Sequence, residues 1–479
     1  MNNKKVFSGI GWSFAERISA QLVSLIVSII LARILAPEDY GILAIVNVFV
    51  AIGDALVAGG FGIALVQKKN SDDTDFNSIC WVSVFVSVLL YAVLFICAPL
   101  ISDFYANNDL TLITRVLGIR LVFSAVNSIQ QAYIQKKLLF MKSCIIGTFG
   151  AIVSGVIGIV LALTGAGVWA LVAQNMMSVI ISTAMLCFFI EWKPRLQCSM
   201  SSIKEMWGYG SRVFLATTVD TLKDNIRTLV VGKVFSSADL AYYNQGKRFP
   251  QLLVNDIVNS VGKVLLPVFS EQQDDLNKNT DFMRLSIRVS SFILLPLIFG
   301  MVGIADNFIL LFLTEKWMPC VPYLRILSLV YVTRSVNTIL KNALLAIGKS
   351  EVNLFHEVVT SVLTVALIIL AAFYFRSIPL IAWSYVLISL LGTCIFSYFT
   401  VKNFPYKVIE IVRDYLPSLT LSGVMCVVVY FVGKIPFATI FVLLLQITVG
   451  IVIYIVGAWL FRMDELVYIL QYMKKKIRH

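Results

Sequence analysis

Between Gly210 and Lys263, where two membrane spans are expected, the chain carries Arg212, Asp220, Lys223, Asp224, Arg227, Lys247, Arg248, Asp256 and Lys263. Insertion of one Arg, Lys or Asp at a helix centre costs roughly 2.5–3.5 kcal/mol. Nine facing lipid would cost on the order of 20–30 kcal/mol, more than their apolar neighbours offset. These groups must therefore face protein or water. Their spacing is helical. Asp220, Lys223, Asp224 and Arg227 recur at i, i+3, i+4 and i+7, and Asn244, Lys247, Arg248, Gln251, Asn255, Asn259 and Lys263 step by three or four. Two polar stripes in which cations prevail suit an anionic ligand. Arg grips phosphate as a bidentate fork, and Lys supplies a point charge.

Other spans carry similar residues. The first has Arg17 beside Glu16, with Ser13, Gln21, Ser24 and Ser28 at helical spacing. The second has Asn47 and Asp54, seven apart; the fourth has Arg120, Ser124, Asn127 and Gln131; the tenth has Arg334, Asn337 and Lys341. Local pairing that merely holds helices together is the competing explanation for Glu16 with Arg17, for Asp220 or Asp224 with Lys223, and for Asp54. It accounts less well for Arg120, Lys247, Arg248, Arg334 and Lys341, which have no acid nearby in sequence. The expected anion-binding set is therefore Arg17, Arg120, Arg212, Lys223, Arg227, Lys247, Arg248, Lys263, Arg334 and Lys341. Asp54, Asp220, Asp224 and Asp256 are candidates for ion coupling.

The elements that must position these groups are membrane helices. Of 479 residues, 59% are hydrophobic and only 14% charged, whereas soluble domains carry about 25% charged residues. Apolar runs of 18 or more recur along the chain, which marks a polytopic all-α membrane protein. The net charge of +12 sits largely in short loops and does not indicate nucleic-acid binding. Eight scattered cysteines and two histidines offer neither a disulfide framework nor a metal site, and no cofactor is expected. Glycine clusters such as Gly59-Gly60-Phe61-Gly62 lack the Lys-Ser/Thr of a phosphate loop.

About fourteen spans of the required ~20 residues fit the breaks at Pro, Gly and charge clusters. They fall near 8–35, 40–65, 78–101, 111–134, 143–163, 167–190, 207–235, 239–267, 283–312, 320–346, 352–374, 378–400, 413–433 and 436–461. The seventh and eighth are the least apolar, and the alternative is one amphipathic insert over 207–281. With a cytoplasmic N-terminus, loops on that side hold about twenty Lys and Arg against about three opposite, a strong positive-inside bias. Omitting only one of the doubtful spans would invert everything after it.

An internal repeat argues for both. Arg33-Ile-Leu-Ala-Pro-Glu-Asp39 matches Lys233-Val-Phe-Ser-Ser-Ala-Asp239, Thr74-Asp-Phe76 matches Thr280-Asp-Phe282, and Val126-Asn-Ser-Ile129 matches Val336-Asn-Thr-Ile339. The offsets all lie near 200–210 residues and keep their order. Six spans per repeat gives two parallel lobes, an arrangement that transporters use with the substrate site between repeats. The expected organisation is a six-helix lobe over 1–200, a second over 201–405, two further spans over 406–461 and an amphipathic basic cytoplasmic tail over 462–479.

Leu31-Ala-Arg-Ile-Leu-Ala-Pro-Glu-Asp-Tyr-Gly41, Gly60-Phe-Gly-Ile-Ala-Leu-Val-Gln67, Asp239-Leu-Ala-Tyr-Tyr-Asn244 and Leu266-Pro-Val-Phe-Ser270 resemble the polysaccharide flippases of the multidrug/oligosaccharidyl-lipid/polysaccharide (MOP) superfamily. The colanic-acid-exporter-like branch and its teichuronic-acid relatives are the nearest in pattern. The resemblance implies fourteen helices, with two six-helix lobes in a V. It also implies alternating access and an undecaprenyl-pyrophosphate-linked oligosaccharide carried from the cytoplasmic to the outer leaflet of the bacterial inner membrane. Glycosyltransferases and a polymerase of the same pathway are the implied partners. The branch has no short catalytic motif to carry over, so the site rests on helical phase and charge. A multidrug or small-molecule exporter and a peptidoglycan-precursor flippase of the same superfamily are alternatives. A membrane glycan polymerase or ligase is the alternative from another class, and outer loops of about ten residues are too small for its chemistry.

Overall fold

The computed structural model describes residue 19 and residues 21–58, 61–68, 71–272 and 275–466, without the side chains of 58, 63, 207–216, 220, 256, 259 and 263. Every regular element among the described residues is helical. The helices are α1 (Gln21–Ile34), α2 (Pro37–Ala58), α3 (Phe61–Gln67), α4 (Asp73–Tyr105), α5 (Asp109–Gly118), α6 (Arg120–Lys137), α7 (Phe140–Leu163), α8 (Val168–Phe189) and α9 (Met200–Val234). They continue with α10 (Ser237–Glu271), α11 (Leu276–Phe312), α12 (Val321–Leu329), α13 (Arg334–Ala346), α14 (Ser350–Ile369), α15 (Ile378–Asn403), α16 (Val408–Val432) and α17 (Thr439–Leu460).

Among the described residues, eleven helical segments are long and apolar enough to cross a membrane, counting α5 with α6 as one. Three further expected spans are helical but lie outside that set. The described part of the first, α1, is short. The seventh, α9, carries Lys204, Glu205, Arg212, Asp220, Lys223, Asp224, Arg227 and Lys233. The tenth is split into α12 and α13. Outward faces are greasy: Val358, Val362 and Ile369 on α14 and Leu444, Ile451 and Ile455 on α17 are exposed. Such surface would be unfavourable in water, at about 25 cal/mol per Å², and costs nothing against lipid tails.

The chain forms two compact units, Met1–Ala241 and Tyr242–His479. In the first, α9 packs against α2, α3 and α4. One core there gathers Phe76, Tyr133 and Trp192, with Phe76 edge-on to Tyr133 at 5.4 Å. The ten-residue connection from α8 to α9 is held on α4: the Arg195 amide donates to Asn77 Oδ1 (3.1 Å) and the Ser199 amide to Ser78 Oγ (2.8 Å). At its edge Lys68 Nζ lies 2.9 Å from both Asp75 and Glu205. These hydrogen bonds hold the Lys68 ammonium above the usual lysine range.

The sequence repeat has structural counterparts. Asp39 and Asp239 both stand at the start of their helices, α2 and α10. Asp39 Oδ2 accepts from the Ala36 amide (3.2 Å), and Asp239 Oδ2 accepts from Ser236 Oγ (2.7 Å). Asp39 thus holds a backbone amide at the start of α2, whereas at the start of α10 it is Ser236 Oγ that accepts from the Asp239 amide (3.1 Å); both carboxylates sit at the positive end of a helix dipole. Ile129 and Ile339, which close the two matching Val-Asn motifs, are both fully buried. A methyl group at Gly62 would lie 3.7 Å from the Ser128 carbonyl of α6, and one at Gly262 would lie 3.2 Å from Thr338 of α13. So each unit brings a glycine to the corresponding helix surface, 200 residues apart on one side of the contact and 210 on the other. The split of α5 from α6 likewise recurs as the split of α12 from α13.

Within the second unit, α16 and α17 are fixed to α11 at two levels. Near one end Arg288 Nη2 meets Asp414 Oδ1 at 2.6 Å, Arg284 pairs with Glu410, and Tyr406 donates to Asp414 Oδ2 at 2.8 Å. Burial, followed by the Asp414 hydrogen bond, pushes the Tyr406 hydroxyl far above its ordinary range, so it remains a donor. Toward the other end Asn307 Nδ2 donates to the Gly433 carbonyl (3.2 Å) and to Gln446 Oε1 (3.0 Å). Asp414→Leu should therefore lower stability by about 1.5–3 kcal/mol, the cost of stranding partners of a charged hydrogen bond. Arg288→Leu/Asp414→Leu should recover part of that, because two apolar groups leave no lone charge. Thermal unfolding of both proteins in detergent checks the order.

Candidate substrate-binding site

In the first unit Arg120 is a cation paired inside a span. Arg120 opens α6 at the point where α5 ends, and its Nη2 lies 3.2 Å from Asp54 Oδ2 on α2. Both side chains are about a quarter exposed. Arg120, which has no acid near it in sequence, thus finds one 66 residues away. The pair is single-toothed: Arg120 Nε is buried without an acceptor, as is the donor Asn127 Nδ2 on the same helix. Close approach of the two helices rests partly on Gly53, where a methyl group would sit 2.7 Å from the Leu121 side chain.

On α9 the predicted stripe is not uniform. Arg227 is buried, Lys223 is half-buried and Asp224 is exposed. Lys223 and Arg227 are both engaged in polar or electrostatic contacts. Arg17 and the side chains of Arg212, Asp220, Asp256 and Lys263 lie outside the described residues.

The second unit holds cations of a different kind. Lys247 and Arg248 are half-buried on α10, and Arg248 has an engaged side chain. On α13, Ser335, Val336, Ile339, Leu340, Ala343 and Leu344 form a buried face. Arg334 is left exposed and Lys341 half-buried, seven residues apart and so on one side of the helix. Among the described residues, no carboxylate lies within 4 Å of Lys247, Arg334 or Lys341. Helices α10 and α13 meet where Gly262 faces Thr338 and Asn342. The helices that carry Lys247, Arg334 and Lys341 are thus neighbours, both of them expected to lie within the membrane.

Beside them runs an apolar groove of about 400 Å³ between α11, α16 and α17, with Leu253 of α10 at its edge. Pro296, Gly300, Met425, Ile451 and Tyr454 contribute to its wall. Gly300 keeps it open: a methyl group there would meet nothing nearer than 3.8 Å, the Met425 Cε.

Several polar groups escaped sequence reasoning. Arg284 and Arg288 face Glu410 and Asp414, and Arg325 Nη2 meets Asp306 at 2.5 Å while its guanidinium covers the Tyr430 ring at 5.2 Å. The first set did carry a signal. Both partners are spaced i, i+4, one helical turn apart in each helix, so the two sets are in matching register.

This helical arrangement is shared with solved transport proteins. A lipid II flippase, MurJ, in an inward closed conformation superposes with a TM-score of 0.76 at 16% identity, over 95% of this chain and 99% of that one. An inward-facing multidrug resistance transporter of the MATE family in the MOP superfamily gives 0.61 at 12% identity, over 81% and 98%. The chain thus shares its fold with these two transport proteins. Residues 30–322 match the polysaccharide biosynthesis protein family, and the chain belongs to it. The teichuronic acid biosynthesis protein TuaB of Bacillus subtilis (strain 168) is 22% identical over 88% of both chains. The lipopolysaccharide biosynthesis protein WzxC of Escherichia coli (strain K12) is 24% identical over 83% of this chain and 80% of its own.

The Asp54–Arg120 pair makes a test. Asp54→Asn and Arg120→Gln should each lower thermal stability, and the double variant should lose less than their sum. A coupling of about 0.5–3 kcal/mol is the range for residues in contact, measured from the four unfolding midpoints.

Proposed function

We propose that this protein is a flippase for lipid-linked glycan repeat units. Its substrate in this reading is an undecaprenyl-pyrophosphate-linked oligosaccharide, moved from the cytoplasmic to the outer leaflet of a bacterial inner membrane by alternating access. The chain's termini are cytoplasmic in this reading, as the loop charge bias implies. Glycosyltransferases act before it and a polymerase after it. The observation that carries the proposal is the set of cations Lys247, Arg334 and Lys341, which lie on helices expected to cross the membrane and have no carboxylate within 4 Å among the described residues. A pyrophosphate carries the charge they lack, and lipid alone would leave them poorly solvated. The apolar groove along α16 and α17 suits a polyprenyl tail that stays in contact with the bilayer.

Transport needs a headgroup that is neutralised during crossing yet released afterwards. Lys and Arg on separate helices offer several moderate contacts instead of one tight fork, so the substrate binds both end states and can leave either. Arg248 on α10, and separately Lys223 and Arg227 on α9 of the first unit, are further proposed substrate contacts, although each already makes another interaction. Asp54 and Asp224, with Asp220 and Asp256, remain the groups by which a proton or sodium ion would couple to the cycle. Protonating Asp54 would release Arg120, which links ion occupancy to a cation of the site.

Reconstitution tests the proposal. Proteoliposomes should move a fluorescent undecaprenyl-pyrophosphate oligosaccharide across the bilayer faster than empty vesicles do. A rate equal to empty vesicles, with folded protein present, would overturn it; preference for a lipid-linked peptidoglycan precursor would redirect it. Lys247→Ala, Arg334→Ala and Lys341→Ala should each cut the rate about tenfold, as expected for loss of one charged contact worth about 1.5 kcal/mol, with abundance unchanged. Full rates from all three would remove these cations from the site.

A further inference from the structure

A second cavity, of about 660 Å³, opens at the ends of α16 and α17, and nothing in the proposed transport cycle uses it. Its size is that of a small-ligand site. Arg413 lies five residues into α16, about 7.5 Å along the helix, and Arg462 lies two residues beyond α17. Both therefore sit where a span meets the headgroup layer. The wall below is apolar, from Leu421, Val424 and Phe461.

The rim is balanced. Arg288, Arg413 and Arg462 face Asp414, Asp464 and Glu465. Arg288 and Asp414 neutralise each other at 2.6 Å, and Asp414 is spent further on Tyr406. Asp464 reaches Arg288 only at 3.8 Å and is 90% exposed. Among the described residues neither Arg413 nor Arg462 is in an ion pair. What remains among the described residues is two guanidinium forks without an ion pair, Glu465 without one, and Asp464 with only its long contact to Arg288, above an acyl-compatible wall. Arg462 is held on this rim by a left-handed turn (φ 49°) in which the Met463 amide donates back to the Ala458 carbonyl at 2.9 Å.

We infer that this cavity binds the headgroup of a zwitterionic aminophospholipid, its phosphodiester on Arg413 and Arg462 and its primary ammonium on Asp464 and Glu465. Charge decides against the two other lipid classes. A pyrophosphate or a purely anionic headgroup would meet Asp464 and Glu465 beside only two unspent arginines. A trimethylammonium headgroup could not donate the hydrogen bonds that carboxylates accept. The site is distinct from the groove between α11, α16 and α17, and the inference stands whether or not the transport reading does.

Native mass spectrometry of the full-length protein, titrated with phosphatidylethanolamine, phosphatidylcholine and phosphatidylglycerol of matched chains, tests it. The wild type should retain phosphatidylethanolamine at least tenfold more tightly than the other two. Arg413→Ala/Arg462→Ala should reduce that retention tenfold or more. Asp464→Asn/Glu465→Gln should erase the preference over phosphatidylcholine while phosphate binding persists. Equal retention of all three lipids, a preference for phosphatidylglycerol, or unchanged selectivity in the acid variant would overturn the inference. If the arginine variant unfolds early, the acid variant decides alone.

Discussion

A charge in a hydrocarbon layer has three ways to exist: beside an opposite charge, beside water, or beside a ligand that brings the opposite charge with it. The structure depends on how this chain divides its ionic groups among those options. Asp54 with Arg120, Arg288 with Asp414, and Arg325 with Asp306 use the first. The first two join helices far apart in sequence and the third joins the successive helices α11 and α12, so neutralisation and assembly are the same event. Among the described residues Lys247, Arg334 and Lys341 do not use it, and that contrast separates groups that hold the bundle from groups available to a substrate.

Much of the fold was legible because its constraints are local or periodic. The ordered repeat aligned Asp39 with Asp239, and both stand at the start of their helices, Asp39 accepting from the Ala36 amide and Asp239 from Ser236 Oγ. It also predicted equivalent inner helices, and Ile129 and Ile339 are both buried at the matching place. What periodicity could not give was continuity. The tenth span breaks between α12 and α13, and its local sequence, Val330 to Thr333, contains neither Pro nor Gly to announce it. The length of α9 was hidden for another reason: its charges depress hydropathy in a helix whose neighbours, α2, α3 and α4, are supplied by the tertiary fold.

The site was less legible. Helical phase places residues on a common side of a helix but does not say what that side meets. Asp224 and Arg227, three apart, were grouped correctly by angle, yet one is exposed and the other buried. Arg120 was singled out for having no acid nearby, and the acid came from another span. The pairing of Arg284 and Arg288 with Glu410 and Asp414 spans 126 residues. Only the equal i, i+4 spacing on both helices hinted at it, and a single sequence offers many such coincidences.

The placement of α16 and α17 follows from these same rules. Two apolar helices against lipid gain nothing by hydrophobic burial, because the tails are as apolar as their own side chains. Something directional must hold them. The ionic cluster at Asp414 supplies it at one level, and Asn307 with Gln446 supplies it at another. Between these two polar fastenings α11, α16 and α17 are free to be apolar, and there the groove lined by Pro296, Met425 and Tyr454 runs. Had packing alone fixed the helices, large side chains would have had to fill that space. Fastening them at two levels leaves Gly300 and Gly450 to line an open groove. The polar contacts are therefore what permits an apolar one to exist.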